Sequence, residues 1–160
     1  MLAIAVLVSS TFAWMGLEGF VSTSEPHEHL PREVATGVAL LAVHVAAIAE
    51  HLARGIVTPP ALFAAGVTLI AAGIALRVTA IRALGPGFVS TTAVPTRVVR
   101  AGPYRFMRHP SEIGLFAAAV GAAALLGSLV AAGVIAVALA PLIMVRCAVE
   151  DRTISSKWAR

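Results

Sequence analysis

Apolar residues run along this chain in long unbroken stretches, and five such segments are separated by short polar or proline-rich connections. They extend roughly from Leu2 to Phe20, Val34 to Ile48, Pro60 to Ala83, Glu112 to Leu126 and Leu129 to Val149. None alternates with the period expected of a barrel strand. A backbone in hydrocarbon must satisfy its own polar groups, so all five are predicted as helices. A perpendicular span takes about 20 residues, with a usable range of about 17–25. The second and fourth segments fall short of this, so they borrow flanking residues or sit where the bilayer thins. The fold class expected is therefore all-α, a polytopic membrane helical bundle of about five transmembrane helices.

Small residues pattern these helices. Gly66 and Gly73 stand two turns apart, as do Gly114 and Gly121, and alanine fills much of the rest. Small side chains let helices approach closely in lipid, where apolar bulk alone gives no preference for a protein neighbour. The connection from Gly85 to Pro110 carries prolines at 86, 95, 103 and 110, which prevents a continuous helix and predicts an ordered cap over one membrane face. The chain reads as a single integral membrane domain over residues 1–160. Three N-terminal spans occupy 1–84, a motif loop 85–111, a helical hairpin with an acidic end 112–152, and a short tail 153–160.

Composition supports the bilayer. With 59% hydrophobic and 12% charged residues, and a mean hydropathy of +0.91, there is too little polar surface to cover a soluble globule. Cys147 is the one cysteine, so no internal disulfide framework or cysteine-based structural metal site is available. The net charge of +4 comes from arginines gathered in a few connections, which fits topology and phosphate or carboxylate contact, not nucleic acid. The first segment is followed by the small residues Val21-Ser-Thr-Ser24, as after a secretory signal, but it lacks a basic start and is read as a retained span.

Arginine placement sets the orientation. Arg77, Arg82, Arg97, Arg100, Arg105 and Arg108 surround the third connection, and Arg146, Arg152, Lys157 and Arg160 gather at the end. Both groups belong on the cytoplasmic side, two spans apart, so the C-terminus is expected in the cytoplasm, across a bacterial-type inner membrane.

Chemistry concentrates at that face. In Arg108-His109-Pro110-Ser111-Glu112, Pro110 suits the first position of the fourth helix and His109 its cap. Histidine is a poor cap, so the open helix N-terminus is available to an anionic group of a ligand. Alternatively Glu112, at the third helical position, reaches back to the His109 N–H as half of a capping box. Arg146 and Glu150 are four apart and share a helix face, which fits either an intrahelical ion pair or independent roles; Asp151 turns about 100° away. A carboxylate such as Glu150 accepts hydrogen bonds from paired ribose hydroxyls or an amine, and arginines meet carboxylates or phosphates.

Other polar residues read as structural. His27 and His29 flank Glu28 as solvated loop residues, so no metal site is expected. His44 and His51, with Glu50, fit interhelical hydrogen bonding, Trp14 and Trp158 fit interface anchors, and Cys147 fits a small buried side chain.

Taken together, Gly102-Pro-Tyr-Arg-Phe-Met-Arg-His-Pro110, a helical hairpin and then Arg146-x-x-x-Glu150-Asp151 resemble the isoprenylcysteine carboxyl methyltransferase and phospholipid methyltransferase group of integral membrane enzymes. Arg77-Val-Thr-Ala-Ile-Arg-Ala-Leu-Gly85 resembles the end of the preceding helix in that group, so the resemblance runs from Leu76 to Arg152. It implies a cytoplasmic pocket for S-adenosyl-L-methionine enclosed by His109, Glu150 and Asp151, with Gly102, Tyr104, Arg108 and Pro110 shaping it. The acceptor would be lipid-like or isoprenylated, a carboxylate, amine or thiol. The chain departs from the group in three places. Glu112 stands where an aromatic is usual, Asp151 where a second glutamate is usual, and the chain stops soon after Arg152.

Methyl transfer needs a desolvated nucleophile held in line, not a metal or a covalent enzyme intermediate. A carboxylate acceptor requires positioning by an arginine such as Arg105 or Arg146, whereas an amine or thiol must lose a proton, with Glu112 as the base. Two other classes remain open from the residues. One is a nicotinamide-dependent membrane reductase of the steroid reductase type. The other is a small transporter or assembly protein with a polar path through Glu50 and His44, although most charges sit at the helix ends.

Overall fold

A computed structural model describes residues 1–21, 30–84 and 100–158, with side chains described for 1–12, 34–84 and 100–152. All regular structure among these residues is helical. The elements are α1 (Leu2–Val21), α2 (Leu30–Arg54), α3 (Pro60–Leu84), a 3-10 turn (Gly102–Arg105), α4 (Pro110–Leu126), α5 (Leu129–Val134) and α6 (Ala140–Trp158). A π-helical turn, Ile135–Leu139, joins α5 to α6, and Ile135 and Ala140 keep helical dihedrals, so the last three elements form one unbroken rod. The described residues thus form an all-α membrane bundle of five helices.

Among the described residues three stretches are long and apolar enough to cross a bilayer: Val34–Arg54, Pro60–Leu84 and Leu129–Arg152. The apolar helices Leu2–Phe12 and Pro110–Leu126 are shorter. At 1.5 Å per residue α4 is roughly 26 Å long, just under a hydrocarbon core of about 30 Å. The expected second span, Val34 to Ile48, is too short. The helix starts at Leu30 and continues past Glu50 and His51 to Arg54, because those polar side chains find partners at the neighbouring α4–α5 turn. The tail expected after Arg152 also differs, since α6 keeps its helical backbone to Trp158.

Glycine sets the central helix pair. A Cβ added to Gly66 would lie 2.6 Å from the Leu125 N and 2.8 Å from the Gly121 carbonyl oxygen, and one on Gly73 would lie 2.5 Å from the Gly114 oxygen. The reverse holds for Gly114 against Gly73 and for Gly121 against Gly66. The two heptad-spaced pairs therefore lock α3 antiparallel to α4, backbone on backbone, in a single register. Ile70 lies against Gly121 between the two pairs, and Leu7, Val43, Leu115, Ala119, Leu125, Leu126 and Leu139 belong to the same core.

The register also fixes both ends of the bundle. At one end Gly127, with φ 64°, terminates α4, and the Ser128 N–H reaches back to the Ala123 oxygen at 2.9 Å. Ser128 then caps α5 by accepting from the Ala131 N–H at 3.0 Å. Glu50 Oε2 accepts from Ser128 Oγ at 2.6 Å and from the Val130 N–H at 2.9 Å, while Arg54 donates to Oε1 at 2.6 Å. His51 Nδ1 meets the Leu126 oxygen at 3.1 Å, and His44 Nδ1 meets the Leu40 oxygen of its own helix at 2.8 Å. Glu50 thus serves the hairpin turn, not a polar path through the helices.

The π turn has a local cause. Pro141 has no N–H, and its ring would crowd the carbonyl four residues back in a regular helix. Here the helix widens just before it, with the Ala140 N–H reaching the Ile135 oxygen. The extra residue turns the rest of the rod by about 100° relative to α5, which helps aim α6 toward the start of α4.

Candidate active site

The opposite end of the bundle gathers side chains from α3, the 3-10 turn, α4 and α6. Pro110 is the first residue of α4, buried, with His109 at the cap position. The His109 side chain makes no capping hydrogen bond, and among the described residues Glu112 pairs with Arg146. Arg77, buried on α3, instead donates to Ser111 Oγ and ties the first turn of α4 to its neighbour. Gly102, with φ 56°, begins the 3-10 turn, and a Cβ there would meet the Ala83 methyl at 3.2 Å. That close seat on α3 holds Tyr104 beside the cluster.

His109 bridges to the acidic pair on α6. Its Nδ1 lies 3.1 Å from Glu150 Oε2, and its Nε2 lies 3.3 Å from Asp151 Oδ1. The second contact is out of line for a hydrogen bond, so the buried Nε2 has no hydrogen-bond partner among the described residues. Contact with Cys147, then the hydrogen bond to Glu150, push His109 up to about 10, against the opposing effect of burial. At neutral pH it is an imidazolium, and Nδ1–H donates to Glu150. Asp151 is a full 100° step from Glu150, but the ring lies beside the middle of α6 and touches both.

Glu112 faces the other arginine. Arg146 Nη2 lies 3.1 Å from Glu112 Oε1, and both side chains are largely buried. Arg146 therefore joins α6 to α4 instead of pairing with Glu150 on its own helix. The second oxygen, Glu112 Oε2, is buried with no hydrogen-bond partner among the described residues. Tyr104 is pushed up to about 12, first by burial and then by the negative charge of Glu150; Arg77 opposes this and Glu112 adds to it. Its hydroxyl stays a neutral donor, within reach of charges from three helices.

Of the residues expected at a site, His109, Pro110, Glu112, Arg146, Glu150, Asp151 and Tyr104 converge here. Arg108 is exposed and stands 3.8 Å from Asp151 Oδ1, at the rim. Arg105 does not join the cluster: it is exposed, with its guanidinium 5.8 Å from the Phe106 ring centre. The sequence reading gave Arg77 only a topological role and took Cys147 as an inert small side chain. The signal for Cys147 was available, because it lies one turn before Glu150 and so shares its face. His27 and His29 lie outside the described residues, as do the side chains of Trp14 and Trp158 and most of the proline-rich connection; among the described residues no cluster could hold a metal ion.

One comparison bears on this arrangement. The family model for the isoprenylcysteine carboxyl methyltransferase (ICMT) family matches residues 66–156, from the first third of α3 nearly to the end of α6. No curated protein and no solved structure matches the chain. The matched segment holds both glycine pairs and every member of the polar cluster.

Proposed function

The chain belongs to the isoprenylcysteine carboxyl methyltransferase family, and from that premise we propose that it transfers a methyl group from S-adenosyl-L-methionine to a lipid-like or isoprenylated acceptor. The observation that carries the reading is the His109 end of the hairpin. A protonated imidazole with a spare Nε2–H, two carboxylates and an N-terminus without a side-chain cap all face one place. These groups suit an amino-acid nucleoside. The uncapped first turn of α4 and the Nε2–H favour a carboxylate, and Glu150 and Asp151 favour an ammonium or ribose hydroxyls.

When bound, S-adenosyl-L-methionine supplies an electrophilic methyl on a sulfonium sulfur and leaves as the neutral thioether. His109, Glu150, Asp151 and Tyr104 would hold it. Pro110 starts the helix that presents its N–H groups, Gly102 provides the turn that seats Tyr104, and Arg108 closes the rim. Arg146 and Glu112 stand on the acceptor side. Arg146 fits that part better than Arg105, because its side chain is largely buried and fixed by Glu112. The acceptor's tail would lie in the bilayer beside α4, where Ile113 and Phe116 are exposed. The arginine-rich connection and the end of α6 share one end of the bundle, through Arg108 and Asp151. The arginine bias supports a cytoplasmic location for this end and for the C-terminus, in a single membrane domain.

Purified protein in detergent, given methyl-labelled S-adenosyl-L-methionine and a total lipid extract, is expected to label a lipid-soluble product. Tight NADPH binding with no S-adenosylhomocysteine binding would replace this reading with a reductase.

A further inference from the structure

Charge is arranged differently at the two ends of the bundle. At the α4–α5 turn the exposed Arg54 is paired with Glu50. At the His109 end Arg82, Arg100, Arg105, Arg108 and Arg152 are all exposed. The acids there turn inward, Glu112 onto Arg146, and Glu150 and Asp151 onto His109. Among the described residues Arg108 alone of the five arginines approaches a carboxylate, Asp151 Oδ1 at 3.8 Å, and its side chain stays 84% exposed. The outward charge of this end is therefore of one sign.

Phe106 stands between Arg105 and Arg108 in the chain and is 81% exposed. Its N–H donates to the Pro103 oxygen at 3.1 Å, and the Arg105 guanidinium lies 5.8 Å from its ring centre. The seat of Gly102 against Ala83 fixes the turn to α3, so the patch is preformed and a ligand orders little backbone on binding. Pro110 opens α4, and the exposed Ile113 and Phe116 follow within its first two turns. The 3-10 turn thus lies where hydrocarbon gives way to headgroups.

We infer that this face is a docking surface for anionic phospholipid headgroups of its own leaflet, with Phe106 seated among the first carbons of the acyl chains. Guanidinium groups meet phosphate oxygens in a fork, and each arginine beside an anionic leaflet adds to the attraction. Charge alone suits any anion. The exposed ring selects a partner with apolar matter directly beneath its negative charge, which is a leaflet. Arg108 belongs both to this face and to the rim at Asp151, so a headgroup held there borders the site.

The test uses full-length protein in phosphatidylcholine vesicles carrying a trace of spin-labelled phosphatidylglycerol or spin-labelled phosphatidylcholine. Electron spin resonance reads the fraction of each probe immobilised by the protein. The wild type should prefer phosphatidylglycerol by at least about fivefold, the share of one arginine at such a surface. That preference should fall in 1 M salt, where screening acts within about 3 Å. Arg100→Gln combined with Arg105→Gln should lose most of it at an unchanged melting temperature, and Arg54→Gln, at the other end, should keep it. A spin label at Phe106→Cys, in a Cys147→Ser background, should be more accessible to oxygen than to a water-soluble nickel chelate. Equal retention of the two lipids by the wild type, a double variant with the full preference, or an equal loss in Arg54→Gln would overturn the docking surface. A label at position 106 more accessible to the nickel chelate would place the ring in water and overturn it as well.

Discussion

Two buried glutamates, Glu50 and Glu112, stand at opposite ends of the α4 hairpin with almost equal exposure, 8% and 9%. Their surroundings differ in one respect. Glu50 has both oxygens occupied, by Arg54 on one and by Ser128 and Val130 on the other. Glu112 has Arg146 on one oxygen and nothing described on the second. Burial of an acid therefore does not mark a site by itself. An acid whose hydrogen-bonding capacity is exhausted by protein is a fastener, and one with capacity left over is open to a ligand.

The two ends share a frame, so the strongest perturbation removes both. Gly73→Leu drives a side chain into the Gly114 backbone, and at least about 3 kcal/mol of stability should be lost, the upper range for overpacking. Thermal unfolding in detergent measures it, and a near-native melting temperature would deny the backbone contact. Next comes Glu50→Ala, which strips a charged acceptor from Ser128 and Val130 and should cost about 2 kcal/mol. S-adenosylhomocysteine affinity should be unchanged in that variant.

His109→Ala should do the reverse. Affinity for S-adenosylhomocysteine should fall by about tenfold, or about 1.4 kcal/mol, with a smaller effect on melting. The pH dependence sharpens this. The folded-state pKa of His109 is raised above an unfolded value of about 6.5, so its contribution is fully present below that value. It is lost as pH rises through about 10, and His109→Gln should lack this loss. Arg54→Ala is the smallest case. Its guanidinium side chain is 61% exposed, so removing the ion pair should shift stability by about 0.5 kcal/mol or less.

Helix number and the glycine contact were legible in the sequence, because span length and small-residue spacing are local signals, whereas the meeting of His109 with Glu150 was implied by the resemblance to the methyltransferase group. The end of α2 was not legible. Glu50 and His51 look like a stop signal until Ser128 and the Leu126 carbonyl, distant in sequence, are placed beside them. The π turn was missed although Pro141 announces it, since an unbroken apolar run hides a proline. The partner of Arg146 was open for a similar reason. Spacing within one helix offered Glu150, and only the fold brings Glu112 across from α4.

The most direct measurement is S-adenosylhomocysteine affinity in two glutamate variants of the same protein, Glu150→Ala and Glu50→Ala. Binding should be lost in the first and retained in the second. Equal affinity in both, or loss only with Glu50→Ala, would contradict the assignment of the cofactor to the His109 end.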